Sequence, residues 1–133
     1  MSKTKILFVD DDRYEMYGLI ERLEAAGYAV EPATSTVMAI QKIESGLRPD
    51  LIISDLIMPA APDDASPLSN RHVGIEFCRM MKERYSLPCP IIVLTVVTDL
   101  VIQQEAKKYA KVLLVKPITP NDLLRRVGEV LQS

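Results

Sequence analysis

The chain has 133 residues, of which 48% are hydrophobic and 26% charged, and its formal net charge is −2. This length and balance predict one globular domain over residues 1–133, with enough apolar side chains for a sizeable core. A slightly acidic chain has no general attraction for nucleic acid or anionic lipid, and no apolar run approaches the roughly 18 residues that span a bilayer. We therefore expect a cytoplasmic protein that binds neither nucleic acid nor membrane directly.

Short apolar runs rich in Val, Ile and Leu recur along the chain, and such runs are typical of parallel strands covered on both faces. They span residues 6–9, 51–53, 91–94 and 112–115, with a weaker strand predicted at 29–32. Between them, apolar residues recur at helical spacing and predict one sheet-facing stripe per helix. The five stripes are Met16, Leu19, Ile20 and Leu23; Val37, Ile40 and Ile43; Ile75, Cys78 and Met80 or Met81; Leu100, Val101 and Ala106; and Leu123, Leu124, Val127 and Leu131. The last helix has a clear predicted start, because Thr119 can cap it and Pro120 can occupy its first position.

Five strand–helix units in alternation predict an α/β fold: a doubly wound parallel sheet with right-handed crossovers and helices on both faces. In such sheets, ligands bind at the carboxyl ends of the strands. Polar residues fall at those ends: Asp10 to Asp12 follow the first strand, Asp55 follows the third, Thr95 ends the fourth and Lys116 follows the fifth. We therefore expect one functional site at this edge of the sheet.

The residues at this edge indicate a particular chemistry. Carboxylates from neighbouring strands repel one another unless a cation joins them, and oxygen ligands without His or Cys suit Mg²⁺ rather than zinc. Asp10, Asp11 and Asp55 are therefore predicted to bind Mg²⁺, whereas Asp12 is interpreted as the N-cap of the first helix. Lys116 and a threonine hydroxyl can bind phosphoryl oxygens, so the whole set predicts phosphoryl transfer with a carboxylate nucleophile.

Four segments carry a family resemblance. Residues 6–12 read ILFVDDD, residues 49–59 PDLIISDLIMP, residues 93–95 VLT and residues 114–117 LVKP. In this order and at nearly this spacing, they resemble the receiver domains of two-component response regulators. The resemblance covers essentially the whole chain and implies a flavodoxin-like (βα)5 fold whose five strands lie in the order 2-1-3-4-5.

The resemblance also implies roles for individual residues. It implies that Asp55 is phosphorylated and that Thr95 and Lys116 contact the phosphoryl group. Asp11 would bind Mg²⁺ directly and Asp10 mainly through water. The backbone carbonyl of Ile57 would complete the protein ligands.

The resemblance further implies a signalling partner on each side of the chain. The phosphoryl donor would be a sensor histidine kinase or a histidine phosphotransfer protein, and the output would pass to an unknown downstream protein or a covalently linked output domain. Such a domain is not an enzyme in the usual sense, because it promotes only its own phosphorylation and dephosphorylation. Signalling would follow from a conformational change that the phosphoryl group induces.

Three features depart from the family pattern. Leu113 stands where the family commonly has an aromatic residue in the last strand, and Val96 stands where Ala or Gly usually follows the threonine. Residues 60–73 read as an inserted, exposed polar loop, which is either an idle insertion or a lid or partner-recognition loop beside Asp55. This segment holds the only histidine, His72, which we do not expect to carry a phosphoryl group.

Other functional classes compete with the receiver interpretation. A flavodoxin-like electron carrier would need hydroxyl- and amide-rich turns around the flavin phosphate, where this chain has three aspartates. A phosphatase of the haloacid dehalogenase type would need a further acidic motif late in the chain. The alternative left open is a pseudo-receiver, a non-phosphorylated interaction module on the same fold. Cys78 and Cys89 are interpreted as reduced, packed thiols.

Overall fold

The computed structural model describes residues 3–58 and 67–132, with the side chains of residues 67–72 outside the description. Five strands form one parallel sheet: β1 (Lys5–Val9), β2 (Ala29–Ala33), β3 (Leu51–Ser54), β4 (Ile91–Thr95) and β5 (Val112–Val115). Their order in the sheet is β2-β1-β3-β4-β5. The flavodoxin-like prediction is confirmed, and the first four strands each extend one residue beyond the predicted runs.

Five helices connect or follow the strands: α1 (Arg13–Ala25), α2 (Thr36–Glu44), α3 (Pro67–Arg79), α4 (Leu100–Ala106) and α5 (Pro120–Gln132). A π-helical turn at Met80–Arg84 continues α3. Side-chain oxygens of Asp12, Ser35, Asp99 and Thr119 accept backbone N–H groups at the starts of α1, α2, α4 and α5. The predicted caps of the first and last helices are therefore confirmed, since each satisfies a donor that the helix leaves unpaired.

The sheet separates two apolar layers, because successive side chains of a strand point to opposite faces. Leu7 and Val9 belong to the layer that α2, α3 and α4 cover, and Ile6 and Phe8 belong to the layer under α1 and α5. All four side chains are at most 1% exposed. Each strand thereby anchors both helical layers and holds its own carboxyl end in a fixed place.

The predicted helix stripes hold for α1, where all four residues are buried, but not for all of α2. Val37 is 40% exposed, which corrects its predicted inward position. The buried residues of α2 are Thr36, Ala39 and Ile43, a spacing of three and four that places Val37 at the side of the stripe.

The stripe of α4 differs more strongly from the prediction. Leu100 and Val101 are 71% and 69% exposed, so their predicted packing against the sheet is wrong. Of the residues of α4, Ala106 is buried and Ile102 is half-buried, an i, i+4 pair on one face. Because α4 has seven residues, only that narrow face reaches the core.

The segment at 60–73 is partly helical. α3 begins at Pro67, so the predicted loop is corrected for residues 67–73. Proline suits a first helical position because its missing N–H would have no partner there. Residues 59–66 and the side chain of His72 lie outside the described residues, and their predicted roles stay predictions.

Both cysteines are buried and neither forms a disulfide, in agreement with the predicted reduced thiols. Burial raises the pKa of the Cys78 thiol to about 12, so it stays protonated and unreactive near neutral pH. Within residues 3–58 and 67–132, no helix has the length and apolar character needed to cross a bilayer.

Candidate functional site

The structure brings three of the predicted site residues into direct contact at the carboxyl edge of the sheet. The Lys116 ammonium lies 2.7 Å from Asp10 Oδ2 and 3.1 Å from Asp55 Oδ2. The three side chains are only 6%, 1% and 8% exposed, respectively. Residues that follow β1, β3 and β5 therefore form one buried ion cluster, although 61 and 106 positions separate the lysine from its two partners.

Asp55 is held by its own loop. Its Oδ1 atom accepts the backbone N–H groups of Leu56 and Ile57 at 2.6 and 3.2 Å, and its own N–H donates to the Val9 carbonyl at 3.0 Å. Two amides on one oxygen fix the orientation of the carboxylate. The second oxygen is left to face the lysine.

Asp10 is the most deeply buried acid of the cluster. Burial raises the pKa of its carboxyl, while hydrogen bonds from Lys116 and from the Asp12 amide offset part of that rise. The Asp12 amide lies 3.0 Å from Asp10 Oδ1, so both oxygens of Asp10 have a partner. This arrangement stabilises a charge that a buried carboxyl alone would lose.

Lys116 keeps its charge in this setting. Burial by itself would lower the pKa of its ammonium, but the hydrogen bond to Asp10 and the charges of Asp55 and Asp10 together raise that pKa. The ammonium is therefore a positive charge shared between Asp10 and Asp55. A carboxylate that sequence reasoning missed, Glu15 of α1, also contacts it, with Oε1 3.3 Å from Nζ. Its place in the first turn of the helix that follows Asp10 could have indicated it.

Asp11 and Asp12 lie at the rim. Partial burial raises the pKa of Asp11, and the charge of Asp55 adds to that rise. Asp12 accepts the N–H of Glu15 at 3.1 Å, which confirms it as the N-cap of α1. Within the described residues, the Asp11 carboxylate is neither a helix cap nor a hydrogen-bond acceptor of Lys116.

Thr95 ends β4 and is fully buried. Its hydroxyl accepts the Val97 N–H at 3.3 Å, and its carbonyl accepts the Lys116 N–H at 2.8 Å. The Val97 carbonyl in turn accepts Nε2 of Gln103 at 2.8 Å, which ties this loop to α4. Thr95 therefore borders the ion cluster through the backbone, and its hydroxyl is engaged within its own loop.

The donor set of this edge suits Mg²⁺. Within the described residues, no three His, Cys, Asp or Glu side chains are gathered closely enough to hold a metal by themselves, because the Lys116 ammonium stands between Asp10 and Asp55. Mg²⁺ usually takes one or two carboxylates and keeps several waters, so it needs no such cage. The raised pKa values of Asp10 and Asp11 indicate acids that a cation would stabilise. The residues therefore fit the ion.

Gly74 of α3 is a second residue that sequence reasoning missed as part of the site. Its N–H donates to the Leu56 carbonyl at 3.2 Å. A Cβ atom here would lie 2.4 Å from Leu56 Cα and 2.7 Å from the Asp55 carbonyl. Only glycine permits this approach, so α3 rests directly on the backbone that carries the Asp55 carboxylate.

The sheet order and the acid and lysine cluster at its carboxyl edge define a flavodoxin-like α/β domain with a charged strand-end site. The sequence model of the response regulator receiver domain matches residues 6–128, and the chain belongs to that family. Phosphorylation-based signalling is the usual function of such domains. The resemblance stated from the motifs is confirmed.

Individual relatives agree with this assignment. The chain is 35% identical to the response regulator MprA of Mycobacterium ulcerans and 30% identical to the alkaline phosphatase synthesis transcriptional regulatory protein PhoP of Bacillus subtilis. The matches cover 96% of this chain but 50% and 48% of those proteins, so the chain spans about half their length. The structure of the chemotaxis response regulator CheY4 of Vibrio cholerae superposes with a TM-score of 0.81 at 32% identity, over 97% of this chain and 99% of that one.

Proposed function

We propose that this domain accepts a phosphoryl group on Asp55 and signals through the resulting conformational change. The proposal rests on the geometry of the Asp55 carboxylate at the carboxyl edge of a receiver fold. This carboxylate accepts two backbone N–H groups and forms an ion pair with Lys116. The donor is a phosphohistidine of a sensor histidine kinase or a histidine phosphotransfer protein. An Asp55 oxygen forms a bond to phosphorus, the bond between phosphorus and the histidine nitrogen breaks, and the electron pair stays on that nitrogen.

Neighbouring side chains have separate tasks in this step. Lys116 neutralises the charge that develops on the phosphoryl oxygens, because its ammonium already lies 3.1 Å from Asp55. Thr95 is the last residue of β4, the strand next to β3. Its hydroxyl leaves the Val97 N–H and donates instead to a phosphoryl oxygen. This rotation of the hydroxyl frees the Val97 N–H. Because the Val97 carbonyl accepts a hydrogen bond from Gln103, a shift of Val97 moves α4.

Mg²⁺ supplies charge neutralisation at this edge when it is bound. Asp11, Asp10, Asp55 and the Ile57 carbonyl are the groups of this chain that would hold it. Asp11 is the exposed carboxylate of the set, and among the described contacts it accepts no hydrogen bond from Lys116.

The rest of the proposal concerns the signalling partners of the domain and its location in the cell. The domain promotes only its own phosphorylation and dephosphorylation, in the cytoplasm, and passes the signal to a downstream protein or a linked output domain without itself contacting nucleic acid. A pseudo-receiver that works without phosphorylation is the second candidate. The intact cluster of Asp10, Asp55 and Lys116 favours the first, since a purely structural module has no need of a buried acid pair.

Phosphorylation of Asp55 is tested by incubating the chain with Mg²⁺ and acetyl phosphate and measuring its intact mass. We expect the wild type to gain one phosphoryl group, and Asp55→Asn to gain none because an amide is not a nucleophile here. Asp50→Asn is the matched control, since Asp50 is an exposed acid at the opposite end of β3. Chelation of Mg²⁺ should abolish uptake in both competent proteins. Equal uptake by Asp55→Asn would refute the proposal.

The phosphorylated state should be long-lived, because two apolar side chains occupy positions where polar groups could orient an attacking water. Ile57 is half-buried and Val97 is 7% exposed, and neither can hydrogen-bond a water. We expect Ile57→Asn combined with Val97→Glu to speed loss of the phosphoryl group on the order of tenfold, through better in-line geometry. Mass analysis after donor removal gives the decay rate, with Val37→Glu on α2 as control. Rapid decay in the wild type would contradict this prediction.

A further inference from the structure

Glu15 reaches the phosphoacceptor site from the solvent side. It lies in the first turn of α1, and its Oε1 atom is 3.3 Å from the Lys116 ammonium. Its side chain is 39% exposed, whereas that of Lys116 is 6% exposed. The Asp12 cap accepts the Glu15 N–H and fixes this turn of helix above the lysine. Glu15 is therefore an outer partner of a buried charge.

The Lys116 ammonium donates hydrogen bonds to Asp10 and Asp55 and forms a longer ion pair with Glu15. An ammonium has three N–H groups. Three carboxylates surround it, with Asp10 at 2.7 Å, Asp55 at 3.1 Å and Glu15 at 3.3 Å. A phosphoryl oxygen that approaches Lys116 therefore competes with three negative charges for the ammonium. The contact to Glu15 is the longest and the most exposed, so its loss carries the smallest cost.

We infer that Glu15 is a positioning residue that restrains Lys116 and slows phosphoryl uptake at Asp55. Its carboxylate attracts the ammonium from the solvent side as an ion pair, and it also places a negative charge beside the path of an anionic phosphodonor. The inference rests on the proposed phosphorylation of Asp55 and adds a residue that sets its rate. Release of Glu15 from Lys116 then accompanies each phosphorylation event.

Two substitutions separate the charge of Glu15 from its geometry. Glu15→Gln keeps an oxygen that can accept from Lys116 but removes the charge, and Glu15→Ala removes both. We expect both variants to take up the phosphoryl group about two- to fivefold faster than the wild type at low salt, the size of effect that one partly exposed ion pair gives. The difference should shrink at high salt, because ions screen an exposed charge. A merely structural role for Glu15 would not produce that salt dependence.

The experiment measures initial rates of acetyl phosphate labelling by intact mass, at low and high salt, with saturating Mg²⁺. Glu24→Gln is the control, because it removes an exposed carboxylate from the same helix at its far end. Rates in the Glu15 variants that equal or fall below the wild-type rate would overturn the inference while leaving Asp55 as the acceptor. An unlabelled wild type would instead refute the proposed function, and the inference with it.

Discussion

Replacing Gly74 with alanine should destabilise the domain by about 3 kcal/mol, the largest effect we expect from adding a single methyl group. The new Cβ would lie 2.4 Å from Leu56 Cα and 2.5 Å from the Leu56 carbonyl oxygen. Backbone cannot rotate away as a flexible side chain can, so α3 must lift from the loop after β3. That movement also breaks the hydrogen bond from the Gly74 N–H to Leu56.

Gly128→Ala is the matched control for this substitution. Gly128 also lies in a helix, α5, but a Cβ there would meet nothing within 4 Å. We expect that variant to gain roughly 0.5–1 kcal/mol, because alanine loses less backbone entropy in a helix than glycine does. Urea unfolding gives both free energies. A Gly74→Ala variant as stable as the wild type would show that α3 can move off Leu56 without cost.

Lys116→Met should destabilise the domain by about 3 kcal/mol or more, because it leaves two buried carboxylates without their cation. Asp10 and Asp55 are 1% and 8% exposed, so water cannot replace the ammonium. Methionine keeps most of the apolar stem, which limits the loss from packing. Mg²⁺ should recover part of the lost stability, since a bound cation can neutralise the same acids.

The control for this substitution is Lys42→Met, which removes the lysine of an ion pair with Glu31. The side chains of that pair are 29% and 49% exposed, and exposed pairs contribute at most about 1 kcal/mol. Thermal or urea unfolding of the two variants with and without Mg²⁺ makes the comparison. Equal losses in both variants would mean that the cluster at the sheet edge adds no more stability than a surface pair.

The sheet and the clustering of Asp10, Asp55 and Lys116 at its edge could be predicted from the sequence, because both follow from where the short apolar runs begin and end. Each buried parallel strand corresponds to a short apolar run in the sequence, and Asp10, Asp55 and Lys116 each follow the end of such a run. The lysine's contacts with both acids confirm that the strand ends converge. The roles of these residues in phosphorylation and Mg²⁺ binding stay predictions.

The features that could not be predicted depend on distances across the fold. Glu15 and Gly74 have ordinary surroundings in the sequence, and only the packing of α1 and α3 brings them against Lys116 and Leu56. The exposure of Leu100 was missed for a related reason. An apolar residue at helical spacing predicts a buried face, but a helix as short as α4 cannot turn all of its apolar residues toward one sheet.

The short α4 has a consequence for how the domain can respond to a local change. Its one fully buried residue is Ala106, and Gln103 ties its first turns to the Val97 carbonyl. Elements with so few buried contacts have low local stability and shift at a small free-energy cost. This helix begins five residues after Thr95, whose hydroxyl accepts the Val97 N–H in the connecting loop. The fold therefore connects a helix with one fully buried residue to the Thr95 loop through the side-chain hydrogen bond of Gln103, so a rearrangement of that loop can reach the helix directly.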